Sequence, residues 1–108
     1  MTWVDRHVPD GWVLGKYKDD LKIFCSWSGG YLDGESWRLN SKVRTVEVDE
    51  EEHYLVNKDV SEYFLHFWGY ARINPYNGSI LSALEDKGFV VLSPEEAKAE
   101  LESFLVDK

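Results

Sequence analysis

Leu21-Lys22-Ile23-Phe24-Cys25-Ser26-Trp27-Ser28 places Leu21, Ile23, Cys25 and Trp27 at every second position. On an extended chain these four side chains point the same way, so the stretch reads as a β-strand with an apolar face. Gly29-Gly30 breaks the strand, and Asp33-Gly34 is a hairpin-type turn signal. Upstream, Pro9-Asp10-Gly11 marks a turn and Trp12 to Tyr17 reads as a short strand. Downstream, Ser36 to Leu39 resumes as strand, with Trp37 and Leu39 on one face. Val43 to Val48 is rich in β-branched residues and reads as the next strand. Asp49 to Glu52 is a four-residue acidic turn, and His53 to Val56 returns as its partner. The first half is therefore expected to be an antiparallel meander, in a sheet of about four to six strands.

Beyond residue 58 the apolar period changes. Asp59 and Glu62 form a capping-box pattern. Val60, Tyr63, Phe64, Phe67 and Trp68 follow at helical spacing, with Gly69 as a stop. The spacing predicts a helix here; a strand is the rival reading, because the stretch is aromatic and β-favouring. Asn74 to Gly78 reads as a loop, and Ser79 to Lys87 as a short helix burying Ile80, Leu81 and Leu84, ended by Gly88. Phe89 to Leu92 is all apolar and reads as a strand buried on both faces. Ser93-Pro94-Glu95-Glu96 combines an N-cap serine, a proline at the first helical position and a glutamate at the third. Ala97, Leu101, Phe104 and Leu105 then form the apolar stripe of a last helix. The expectation is one α+β domain over residues 1–108, with about two or three C-terminal helices packed on the sheet.

The chain has 108 residues, 44% of them hydrophobic and 15% aromatic, enough for a core without disulfide staples. Cys25 is the one cysteine, which fits a reducing compartment. Met1 to Arg6 lacks a signal-peptide layout, and no apolar run approaches the roughly 20 residues of a spanning helix. A cytoplasmic protein with no membrane contact is expected. The formal net charge of -8 repels nucleic-acid phosphates and attracts basic surfaces.

No catalytic constellation emerges. Cys25 lies mid-strand on an apolar face and reads as a small buried hydrophobe. His7, His53 and His66 lack metal-ligand spacing, although His53 and His66 are free to meet in space. Ser26 to Gly30 lacks the first glycine of a nucleophile elbow and does not lead into a helix. No dinucleotide or phosphate-loop glycine pattern is present. No metal and no cofactor is expected.

The functional lead is the acidic run. Glu47, Asp49, Glu50, Glu51 and Glu52, with Asp59 and Glu62 soon after, are positioned to meet an Arg/Lys cluster on a partner. Tyr54 beside them is a candidate contact, as are Tyr31, Trp37, Tyr70 and Tyr76, because aromatics dominate binding hot spots. Trp37-Arg38-Leu39-Asn40-Ser41, with Val43, Val46-Glu47, Asp49 and Tyr54, is similar to a pattern in short phage-type reading frames; that resemblance implies no activity. The expected function is a small non-enzymatic binding or inhibitor protein that recognises a basic protein surface. Antitoxins, immunity proteins and phage-encoded inhibitors of nucleic-acid enzymes have this character. The alternative is a structural or assembly accessory module, and a small enzyme comes third.

Overall fold

The computed structural model describes residues 5–27, 36–40, 42–58, 61–73 and 75–105. In chain order these form β1 (Asp5–His7), β2 (Gly11–Tyr17), β3 (Asp20–Trp27), β4 (Ser36–Leu39), β5 (Val46–Val48), β6 (Tyr54–Val56) and β7 (Ser61–Leu65). A 3₁₀ turn (Phe67–Gly69), α1 (Pro75–Asp86), β8 (Val90–Val91) and α2 (Pro94–Glu102) follow. The class is α+β, as expected, but the strands form two four-stranded sheets and not one meander. One sheet runs β4-β3-β2-β8 and the other β1-β7-β6-β5. All pairings are antiparallel except β1 with β7.

The β2–β3 hairpin sits at the centre. Its loop is only Lys18-Asp19, with both residues at positive φ (50° and 72°). That is the hand which matches strand twist in two-residue hairpins. Alternation gives β2 and β3 two apolar faces, not one. Trp12, Leu14, Ile23 and Cys25 point one way; Val13, Phe24 and Ser26 point the other, and all seven are buried. Toward the second sheet, Trp12 meets Phe67 and Tyr70 edge-on, with ring centroids 5.0 and 4.8 Å away. On the opposite side, Asn77 of α1 donates through Nδ2 to Ser26 Oγ at 2.8 Å. A Cβ on Gly15 would stand 2.4 Å from the Phe89 ring, so only glycine lets that ring lie against β2.

The switch between sheets is held by side-chain and backbone bonds together. Asn40, just past β4, accepts the Ile23 N–H on Oδ1 at 2.7 Å. Asn57, just past β6, accepts the N–H groups of Arg44 (2.6 Å) and Thr45 (3.3 Å) and donates to the Lys42 carbonyl (2.8 Å). The asparagine amides thus add to the backbone bonds from Val43 N–H to the Leu21 carbonyl (2.7 Å) and from Asn57 N–H to the Thr45 carbonyl (2.9 Å) as residues 42–45 cross. A third stitch is Tyr70, whose hydroxyl accepts the Leu14 N–H (3.0 Å) and donates to the Leu92 carbonyl (2.7 Å).

Several expectations are corrected. Residues 61–65 are strand, not helix: β7 pairs with β6 on one side and β1 on the other, burying Tyr63 and Leu65. The helical spacing of Phe67 and Trp68 came from the 3₁₀ turn that follows. The helix expected at Ser79 begins at Pro75, so most of the expected Asn74–Gly78 loop is its first turn. The expected Val43–Val48 strand is confined to Val46–Val48. Phe89 is buried, but Val90 is exposed, because β8 is a two-residue edge strand. The Gly29-Gly30 break, the Asp33-Gly34 turn and the Asp59 cap fall outside the described residues.

The last helix matches its expectation closely. Ser93 Oγ accepts from Glu96 N–H at 3.1 Å, and Glu96 Oε1 accepts from Ser93 N–H at 2.9 Å, a reciprocal capping box. Ala97 and Leu101 are fully buried, while Phe104 and Leu105 pack against the core just beyond the helix. Among the described residues no helix is long and apolar enough to cross a membrane.

Candidate protein-binding face

The β5–β6 hairpin carries the acidic run at its tip, as the sequence implies. The turn is organised by one side chain. Asp49 Oδ1 accepts the N–H groups of Glu51 (2.9 Å) and His53 (2.8 Å), and its Oδ2 lies 3.2 Å from His53 Nδ1. These bonds, the His53 N–H first, hold the Asp49 carboxyl below the usual carboxylate range. Glu52 takes a positive φ of 68° to close the turn. Asp49, Glu50, Glu51 and Glu52 are exposed. Glu47 is exposed one strand residue away, 3.3 Å from Lys58 Nζ.

The other expected contact residues lie elsewhere. Glu62 is buried on β7 and paired with Arg6 Nε of β1 at 2.7 Å, a bond between strands. Tyr54 is buried between the sheets, with its ring 5.3 Å from Phe67. Tyr70 is buried too, while Trp37 is partly exposed and stacked 5.7 Å from Phe24. Asp59, Tyr31 and the Tyr76 side chain fall outside the described residues.

An aromatic ledge adjoins the tip. His53 stacks on Phe64 at 4.4 Å and meets His66 edge-on at 5.0 Å; His66 lies 5.5 Å from Trp68. The two histidines therefore do meet in space. His66 also caps the 3₁₀ turn, its Nδ1 accepting the Trp68 N–H at 3.2 Å. That turn turns Trp68 outward, leaving it 67% exposed, and Val8 beside it is 53% exposed. Val8, His53, Phe64, His66 and Trp68 line one cleft of about 220 Å³. The sequence placed Trp68 on the buried stripe of a helix, so its exposure was missed. The Trp68-Gly69 pair at the end of the aromatic run was the one available signal, and Gly69 there admits a turn as readily as a helix end.

Elsewhere, Cys25 is fully buried, and burial pushes its thiol far up, with Arg38 opposing weakly. The nucleophilic thiolate is thus strongly disfavoured. In native buffer a maleimide is expected to leave Cys25 unmodified over hours, with rapid labelling only in denaturant; prompt native labelling would contradict this burial. Among the described residues no group of His, Cys, Asp or Glu is arranged to hold a metal ion. No protein-family model, curated protein or solved structure matches this chain.

Proposed function

We propose that the protein is a non-enzymatic binding module whose acidic tip and aromatic ledge dock together onto a basic protein surface. The observation that carries this reading is the placement of exposed Trp68 beside a pre-ordered anionic turn. Hot spots favour a rigid aromatic anchor, and an anionic rim supplies steering and register. The occupant is a basic protein segment: its Arg or Lys side chains meet Asp49 to Glu52, and an apolar side chain enters the cleft beside Trp68. Charge complementarity supports that choice, since the whole chain carries a net charge of -8. An inhibitor, antitoxin or immunity-type role toward a nucleic-acid enzyme or toxin in the cytoplasm fits such a partner.

The test uses short Arg/Lys-rich peptides with and without a leucine or tryptophan, followed by NMR titration at low and high salt. Replacing Glu50, Glu51 and Glu52 with Gln is expected to leave stability unchanged or slightly raised, because close like charges repel. The same change should slow peptide association and flatten its salt dependence. Trp68→Ala should weaken binding by about 2 kcal/mol, the scale of a hot-spot aromatic. Unchanged binding in both variants would remove this face as the interaction site. A large loss of stability in the Gln variant would mean that the tip is not a solvated surface.

A further inference from the structure

The residues that carry the chain across between the sheets enclose a second cleft, of about 450 Å³. Among the described residues it shares no lining residue with the Trp68 cleft. Its chemistry opposes that of the whole molecule. The chain has 20 acidic and 12 basic residues, yet the described lining includes Lys22, Arg38 and Arg44 and not one carboxylate. Among the described residues neither Lys22 nor Arg44 forms an ion pair. Arg38 Nε donates to the Tyr63 hydroxyl at 2.9 Å, which fixes the guanidinium at the cleft wall and leaves the phenol its own proton to give. Ser61 adds another hydroxyl.

The second observation is Asn40. This residue is 5% exposed, and its Oδ1 is committed to the Ile23 N–H. Its Nδ2, in the wall of the same cleft, is closed off from solvent and has no acceptor among the described residues. A buried amide without a partner is costly, and an electronegative atom in the cleft relieves it.

We infer that this cleft is an anion site that takes the phosphoryl group of a small molecule. Among the described lining residues the ammonium, guanidinium and amide N–H groups only donate and the two hydroxyls are able to donate, and arginine forks match the geometry of phosphate oxygens. The volume lies in the range of small-molecule pockets. A nucleic-acid backbone is disfavoured as the source, because the surrounding charge of -8 repels a long polyanion while leaving a single small anion to the local field.

The experiment titrates the ¹⁵N-labelled protein at fixed ionic strength with inorganic phosphate, pyrophosphate and glycerol 3-phosphate, and separately with a thymidine oligonucleotide. Saturable shifts of the Asn40 side-chain amide and the Arg44 Nε–H are expected. The Lys22→Gln/Arg44→Gln double variant should bind about tenfold more weakly per cation removed, the loss of one charge-assisted hydrogen bond each. Arg44→Glu alone, at an exposed position, serves as the second variant and should abolish binding even if the double variant folds poorly. Tighter binding of glycerol 3-phosphate than of phosphate identifies a phosphomonoester as ligand; equal or weaker binding identifies the free anion. The inference is overturned if none of the three small probes saturates, if Arg44→Glu binds as the parent does, or if only the oligonucleotide binds.

Discussion

Replacing Trp12 by alanine is expected to cost about 3–5 kcal/mol, the range for truncating a large buried aromatic. Trp12 is 1% exposed and is placed where the two sheets meet. Its ring packs edge-on against Phe67 and Tyr70, and its Nε1–H donates to the His66 carbonyl at 3.0 Å. Few neighbours can move in to fill the void, because β2 is fixed on both sides by β3 and β8. Domains are stable by only about 5–15 kcal/mol, so this one change removes a large share. Urea unfolding measures it as a fall in midpoint. Trp12→Phe, which keeps a ring against Phe67 and Tyr70, should lose clearly less. A loss under about 1 kcal/mol for the alanine variant, the scale of a surface change, would show that the sheets are not joined at this side chain.

Gly11→Ala should cost about 3 kcal/mol, at the upper end of overpacking penalties. A Cβ there would stand 1.7 Å from the Arg72 carbonyl oxygen and 2.6 Å from its carbon. Both are backbone atoms, so no rotamer change relieves the clash. The start of β2 would have to part from residues 69–72, breaking the Ala71 N–H to Trp12 carbonyl bond of 2.6 Å. Gly78 is the control. It lies within α1 with nothing within 4 Å of a built Cβ. Gly78→Ala should stabilise by about 0.5–1 kcal/mol through helix propensity. The same substitution is thus expected to have opposite signs at two positions, read as opposite shifts in thermal midpoint. Equal shifts would refute the close approach at Gly11.

What the sequence conveyed depends on how local the cause was. The α2 start is written in four consecutive residues, Ser93 to Glu96, and its capping box forms as expected. The β5–β6 hairpin is equally local, since Val46 to Val56 contains both strands and the turn. The strand at Ser61–Leu65 was not legible, because its cause is remote: β1 supplies a pairing edge from residues 5–7. Helical spacing of Tyr63, Phe64 and Phe67 competed with the aromatic, β-favouring composition of the same stretch, and tertiary pairing decided between them. The second sheet was hidden for a related reason. Asn40 and Asn57 read as ordinary loop residues, yet their side-chain amides carry the chain from one sheet to the other. At the binding face, the acidic tip was visible as a charge run. The ledge was not, because Trp68's exposure depends on a 3₁₀ turn capped by His66.

The strand orders also govern how the molecule comes into being. Chain segments alternate between sheets: β1 belongs to one, β2 to β4 to the other, β5 to β7 return to the first, and β8 returns to the second. During synthesis the β2–β3 hairpin is ready early, since its contacts are all near in sequence. β1 emerges before it, and among the described residues its strand partner is β7, at residues 61–63. The Arg6–Glu62 bond, 56 residues apart in sequence, closes that gap and carries the loop-closure entropy of a long segment. Neither sheet is completed by one continuous stretch, so a fragment cut between β4 and β5 leaves both without a member strand. The interleaving couples the two sheets through the chain, and β1 meets β7 only after the middle of the chain has been made.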